Sequence, residues 1–131
     1  MVLKHTDIFV TIATTDVEKI LDYYTQLLGL QPIVHMPSLY AELQLQGLRL
    51  AIFKSKTAHE SEFANSDGSK MSLCFQVTNL ENAIAQLTTL GYPPPGEIIN
   101  DYHGREIYAY DPDGNRIILH ESKAGGTYLD V

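Results

Sequence analysis

The sequence predicts an α+β domain in which one strand–helix–strand–strand–strand unit is used twice, and three observations carry that prediction. First, residues 7–30 (DIFVTIATTDVEKILDYYTQLLGL) lie over residues 70–92 (KMSLCFQVTNLENAIAQLTTLGY) with Asp16 above Asn79. Apolar residues then coincide at Ile8/Met71, Val10/Leu73, Ile12/Phe75, Val17/Leu80, Ile20/Ala83, Leu21/Ile84, Tyr24/Leu87 and Leu27/Leu90. Second, within each copy the apolar spacing changes from two residues, the period of a strand with one buried face, to three and four, the period of an amphipathic helix. Third, each copy closes with two strand-like runs joined by a turn, QG at 46–47 and DPDG at 111–114.

The first unit spans residues 4–53. Alternation on its leading strand turns Ile8, Val10 and Ile12 toward the helix, and Asp7, Phe9, Thr11 and Ala13 to the other side. Asp16 stands where an N-cap side chain accepts from the free amides of the first helical turn. Gly29 follows the last periodic residue, where a left-handed cap favours glycine. QPIVHM, LYAELQLQ and LRLAIFK then read as strands. Residues 54–70 (KSKTAHESEFANSDGSK) are polar and turn-rich, a connector and a candidate flap.

The second unit spans residues 71–121. Leu73, Phe75 and Val77 face the helix, leaving Ser72, Cys74 and Gln76 opposite; Asn79 and Gly91 repeat the two caps. GEIIND, EIYAYD and NRIILHE are the remaining strands. In the turn between the last two, Asp111, Pro112 and Gly114 match the first, second and fourth positions of a type I turn. Ile117 and Leu119 pack toward the helix, so Arg116, Ile118 and His120 face away, and Glu121 returns to the helix side or solvent. The repeat lays Arg49 and Ala51 over Arg116 and Ile118. Residues 122–131 form a tail without pattern.

A chain of 131 residues with 44% hydrophobic and 19% charged content can bury a core as a single domain and does not read as disordered. Nine basic against sixteen acidic residues give a net charge of -7, which repels phosphate backbones and anionic membranes and tolerates a cationic small molecule. No apolar run approaches the roughly 18 residues of a membrane span, and MVLKHTDIFV lacks a signal-peptide pattern. With Cys74 as its one cysteine, the chain is expected in the cytoplasm.

A duplicated βαβββ unit whose second copy ends in DPDGN and an apolar strand resembles the vicinal oxygen chelate superfamily, which includes glyoxalase I, extradiol dioxygenases, fosfomycin-resistance enzymes and bleomycin-resistance proteins. The resemblance covers residues 4–121 and is most specific in TDVEKILDYYTQLLGL and GREIYAYDPDGNRIILHE. It implies curved mixed sheets forming an open half-barrel cup with helices outside, a small-molecule ligand in the cup, and a homodimer whose cup is either intrachain or shared.

Metal-dependent members carry one ligand seven residues before each helix-capping residue and another four residues after each turn glycine. Here those positions are Phe9, Ser72, Ala51 and Ile118, none of them an imidazole or carboxylate. Nor is DPDGN a calcium loop, since its sixth position is Arg116 and its twelfth Ser122. The expectation is therefore a metal-free, cofactor-free small-molecule binding protein of the sequestration type, similar to the bleomycin-resistance branch. Its ligand-binding residues are expected among Phe9, Thr11, Glu42, Arg49, Ala51, Ser72, Cys74, Gln76, Tyr102, His103, Tyr108, Arg116, Ile118 and His120. Alternatives stay open. Displaced ligands such as His120, Glu42 and His103 would make a metal-dependent lyase, dioxygenase or transferase, and the same residues could do metal-free acid–base chemistry. Arg49 and Arg116 read as a symmetric anion clamp or as rim residues paired with Glu42 or Asp113. Cys74 reads as a nucleophile or, in preference, a small buried hydrophobe.

Overall fold

The structure, a computed structural model, describes residues 2–64 and 69–123. It divides into two compact units, Met1–Ala64 and Asn65–Val131. The first contains β1 (Val10–Thr14), α1 (Val17–Leu28), β2 (Val34–Met36), β3 (Tyr40–Leu45) and β4 (Leu48–Lys54), followed by a 3₁₀ turn (Thr57–His59) and α2 (Glu60–Phe63). The second contains β5 (Leu73–Gln76), α3 (Leu80–Leu90), β6 (Ile99–Asp101), β7 (Gly104–Tyr110) and β8 (Arg116–Ser122). Among the described residues no helix is long and apolar enough to cross a membrane.

The duplication holds strand by strand. One sheet is ordered β1-β4-β3-β2 and the other β5-β8-β7-β6, both open. In each, the leading strand runs parallel to the last while the other neighbours are antiparallel. Even the register repeats: Thr11 lies beside Ala51 as Cys74 lies beside Ile118. This is the α+β class that the apolar pattern predicts, with the mixed sheets that the resemblance implies.

Each helix is bounded as its capping residues dictate. Asp16 accepts from Lys19 N at 3.1 Å and Asn79 from Asn82 N at 2.9 Å. Gly29 and Gly91 close the helices at φ 67° and 95°, a conformation that costs a residue with a Cβ. The amphipathic faces then bury Val17, Ile20, Leu21 and Tyr24 with Leu43, Leu50 and Ile52 in the first unit, and Leu80 and Leu87 with Ile107, Ile117 and Leu119 in the second. Each such side chain contributes about 1.5–3 kcal/mol by leaving water. The α3 end has a further anchor, because Glu121 accepts from Leu80 N at 2.8 Å. That contact puts the odd-numbered face of β8 against α3, as alternation predicts, and turns the even-numbered face away.

Two expectations need correction. Ile8 does not pack on the helix: it is 85% exposed, and its counterpart Met71 82%. The parallel ladders begin only at Val10 and Leu73, so both residues precede the paired strand. The connector is not merely a turn-rich loop, since its first half folds into the 3₁₀ turn and α2, where Phe63 meets Phe53 of β4 edge-on at 5.6 Å between ring centroids. The part of the candidate flap at residues 65–68, and the tail from 124, lie outside the described residues.

Candidate functional site

Strand parity and register arrange the predicted residues in rows across the sheet faces turned from the helices. On the second sheet Tyr110 lies beside Arg116, with Ser72 just ahead of the ladder; Tyr108, Ile118 and Cys74 form the next row; Glu106, His120 and Gln76 form the third. On the first sheet Glu42, Ala51 and Thr11 form the row equivalent to the second of these, with Arg49 one step before Ala51 on the same face.

Of the four positions where the resemblance places metal ligands, the first-strand residue of each unit is engaged by the equivalent arginine, through a different contact in each. The Arg49 guanidinium lies 4.3 Å from the centre of the Phe9 ring, a cation–π contact, while Arg116 Nε donates to Ser72 Oγ at 2.6 Å. Arg49 also pairs with Asp7, and with Glu42 at 3.3 Å. Arg116 is held by the Ser69 and Met71 carbonyls at 3.0 and 3.4 Å. Arg49 is thus a paired residue as expected, whereas Arg116 takes Ser72 and backbone oxygens in place of Asp113. Ala51 is buried and Ile118 partly so. A divalent ion finds no nitrogen or carboxylate donor among these four residues, so the donor set does not fit the superfamily's ion at this place.

Cys74 corrects a further expectation, being exposed and not a buried hydrophobe. Its place on the outward parity of β5 explains the exposure. Partial desolvation and then the Glu106 charge hold its thiol above the ordinary range, which leaves little thiolate for nucleophilic work.

The third row is the most polar. His103, from the turn between β6 and β7, sets its Nδ1 3.0 Å from His120 Nε2. His120 Nδ1 lies 2.9 Å from Gln76 Oε1, and His103 Nε2 lies 3.1 Å from Asp101 Oδ1. Glu106 sits beside His120 across the ladder. Tyr102, 70% exposed, meets the His103 ring edge-on at 4.9 Å. Thr11, Tyr108 and Gln76 are exposed as well. Of the displaced set named above, His103 and His120 come together, but Glu42 belongs to the other unit, where it accepts from Tyr40 Oη at 2.6 Å.

Glu106 escapes a reading by motif. Its signal is parity: it shares the face of Tyr108 and Tyr110, and the DPDG hairpin pairs it with His120. That hairpin is fixed by Asp111, whose Oδ1 accepts from Asp113 N at 2.9 Å and Asn115 N at 3.0 Å, while its carbonyl accepts from Gly114 N at 2.9 Å. An open groove of about 620 Å³ runs elsewhere, along α1 between Asp16, Glu18, Lys19, Asp22, Gln31 and His35. None of the expected ligand-binding residues lines it.

The family model of the Glyoxalase/Bleomycin resistance protein/Dioxygenase superfamily matches residues 3–119. The chain belongs to this superfamily. No curated protein sequence matches it. Among solved structures, a family enzyme from Burkholderia phytofirmans is 19% identical with a TM-score of 0.74, covering 88% of this chain and 97% of its own. A glyoxalase-related enzyme from Fulvimarina pelagi is 20% identical with a TM-score of 0.71, covering 95% and 96%. A mutant of the fosfomycin resistance protein FosX from Listeria monocytogenes, complexed with Mn(II) and dihydroxypropylphosphonic acid, is 18% identical with a TM-score of 0.72, covering 96% and 94%. These likenesses establish the fold this superfamily member shares with them.

Proposed function

We propose that this superfamily member is a small-molecule binding protein that dispenses with the ion at the superfamily's usual position and holds its ligand without transforming it. The observation that carries the reading is the repeated arginine contact: Arg49 on Phe9 and Arg116 on Ser72 occupy two of the positions that would supply ligands, and Ala51 and Ile118 occupy the others. A FosX mutant, which shares the fold, was crystallised with Mn(II) and a phosphonic acid; Phe9, Ala51, Ser72 and Ile118 here offer an ion no imidazole or carboxylate.

Exposed aromatic rings at Tyr102, Tyr108 and Tyr110 of the second unit, together with a net charge of -7, suit a planar ligand of positive charge. Cys74 and Gln76 supply polar edges on the same face of that unit. A lone cysteine without a disulfide partner fits a reducing compartment such as the cytoplasm. Pairing into a homodimer belongs to the same proposal.

The experiment is a thermal-shift screen of chelator-treated protein against planar organic cations and cationic glycopeptides, followed by calorimetry and mass analysis of the recovered ligand. A true ligand at a hundred times its Kd adds about 2.7 kcal/mol of stability and is recovered unchanged, and Tyr108→Ala weakens it. Recovery of a chemically altered ligand, or no shift from any compound in the screen, overturns the reading.

A further inference from the structure

The third row of the second sheet holds an arrangement that the four positions above do not explain. Gln76 directs its amide nitrogen at Ser122 Oγ, 2.7 Å away, and its oxygen at His120 Nδ1. An amide oxygen only accepts, so the His120 proton sits on Nδ1 and Nε2 presents a lone pair. Asp101 Oδ1 lies 3.1 Å from His103 Nε2 and accepts from the His103 backbone N–H at 3.1 Å. His103 Nδ1 and His120 Nε2 stand 3.0 Å apart, a separation that either a proton on His103 Nδ1 or a cation can bridge.

Glu106 supplies the third donor. One ligand atom from each of His103, Glu106 and His120 lies within 4.8 Å of the others. Two imidazoles and a carboxylate form a set suited to Zn(II) and similar ions, at bonds of about 2.0–2.2 Å. Two nitrogens on one ion at that range stand roughly 2.8–3.6 Å apart for angles between square and tetrahedral. His120 is moreover oriented from behind by Gln76, itself anchored on Ser122, the arrangement that sets the tautomer of metal-binding histidines.

We infer that His103 Nδ1, His120 Nε2 and a Glu106 carboxylate oxygen form a binding site for a divalent first-row ion, with Asp101 and Gln76 as positioning residues. The site lies two residues along β8 from Ile118, a displacement of about 7 Å. Three protein ligands leave the rest of the coordination to water or to an oxygen of a small molecule. This inference is independent of the proposed sequestration, which concerns the other four positions and is scored on metal-free protein.

The test is a titration of chelator-treated, full-length protein with Co(II), followed by visible absorption and calorimetry, then competition with Zn(II). Wild type is expected to take one equivalent with a saturable visible band that Zn(II) removes. Glu106→Gln and His103→Ala are each expected to weaken binding at least tenfold, and Asp101→Asn, which removes no ligand, by about 10–100-fold. Gln31→Ala, in the other unit, should titrate as wild type. Circular dichroism identifies any variant that has lost its fold, and Asp101→Asn, remote from the core, keeps the comparison decisive if His103→Ala has. Absence of a saturable band, or equal titration of Glu106→Gln, Asp101→Asn and wild type, overturns the inference and leaves a hydrogen bond between the two rings.

Discussion

Gly104 adopts φ 144°, and a Cβ there would run into the carbonyl of Glu121 on the neighbouring strand. The missing side chain is what lets β7 start hard against β8 directly after the turn that carries His103. Gly104→Ala is expected to destabilise the chain by about 3 kcal/mol, through backbone strain and overpacking, in urea unfolding monitored by circular dichroism. A change under about 0.5 kcal/mol would mean that the turn relaxes freely. Cys74 gives a second test at this scale. Because Glu106 contributes to the raised thiol pKa, Glu106→Gln should speed alkylation by iodoacetamide at neutral pH, and wild type should react more slowly than an unperturbed thiol. Equal rates in wild type and variant would show that desolvation alone sets the thiol. Neither Gly104 nor Glu106 stands out in the sequence as a site residue. Gly104 reads as an ordinary turn glycine and Glu106 as one more acidic side chain, because the carbonyl and the imidazole that give them meaning come from β8.

The two long helices show how far local chemistry reaches. Their N-caps follow from Asp16 and Asn79 alone, and Asp16→Ala or Asn79→Ala should each cost about 1 kcal/mol in the same unfolding assay. The third support of α3 has no local signal. Arg105 on β7 donates to Glu81 at 2.6 and 2.8 Å and to Glu121 at 2.9 Å, tying the helix start to two strands. Hydrogen bonds from Arg105 bring the Glu81 carboxyl down to about 2, and the Leu80 amide followed by Arg105 lowers Glu121. Both folded-state values lie below the unfolded ones, so the stabilisation is present above the ordinary carboxylate range and is lost as pH falls through the folded values. Unfolding midpoints should therefore decline between about pH 5 and pH 2, less so at high salt because the groups are solvent-accessible, and Arg105→Met should flatten the decline. An unchanged slope in that variant would locate the acid sensitivity elsewhere. The short β2 and β6 and the one-turn α2 carry too few residues for periodicity to bound them, which is why the connector's helix went unforeseen.

For the molecule as a whole, the duplicated pattern was the most legible feature, since a repeated apolar period and two equivalent turns survive in a single sequence. Parity placed His120 and Glu121 on opposite faces correctly, because side-chain alternation is a property of the strand itself. Which side chains meet was only partly legible: His103 and His120 share a row through a ladder and a turn, while the pairing of Arg116 with Ser72 spans a parallel crossover of more than forty residues. The proposed dimer belongs at this scale, and sedimentation velocity should give a species of twice the chain's mass; a lone monomer at all concentrations would remove it. The two faces of β8 also carry a rule for how such a protein changes over time. Ligating groups can migrate along the strand in jumps of two residues without disturbing the hydrophobic side, whereas inserting or deleting one residue after the DPDG turn would swap imidazole for carboxylate beneath the helix and expose leucine in their place. Divergent descendants of this chain ought to show relocated donors at even spacings and almost no single-residue length changes within that strand.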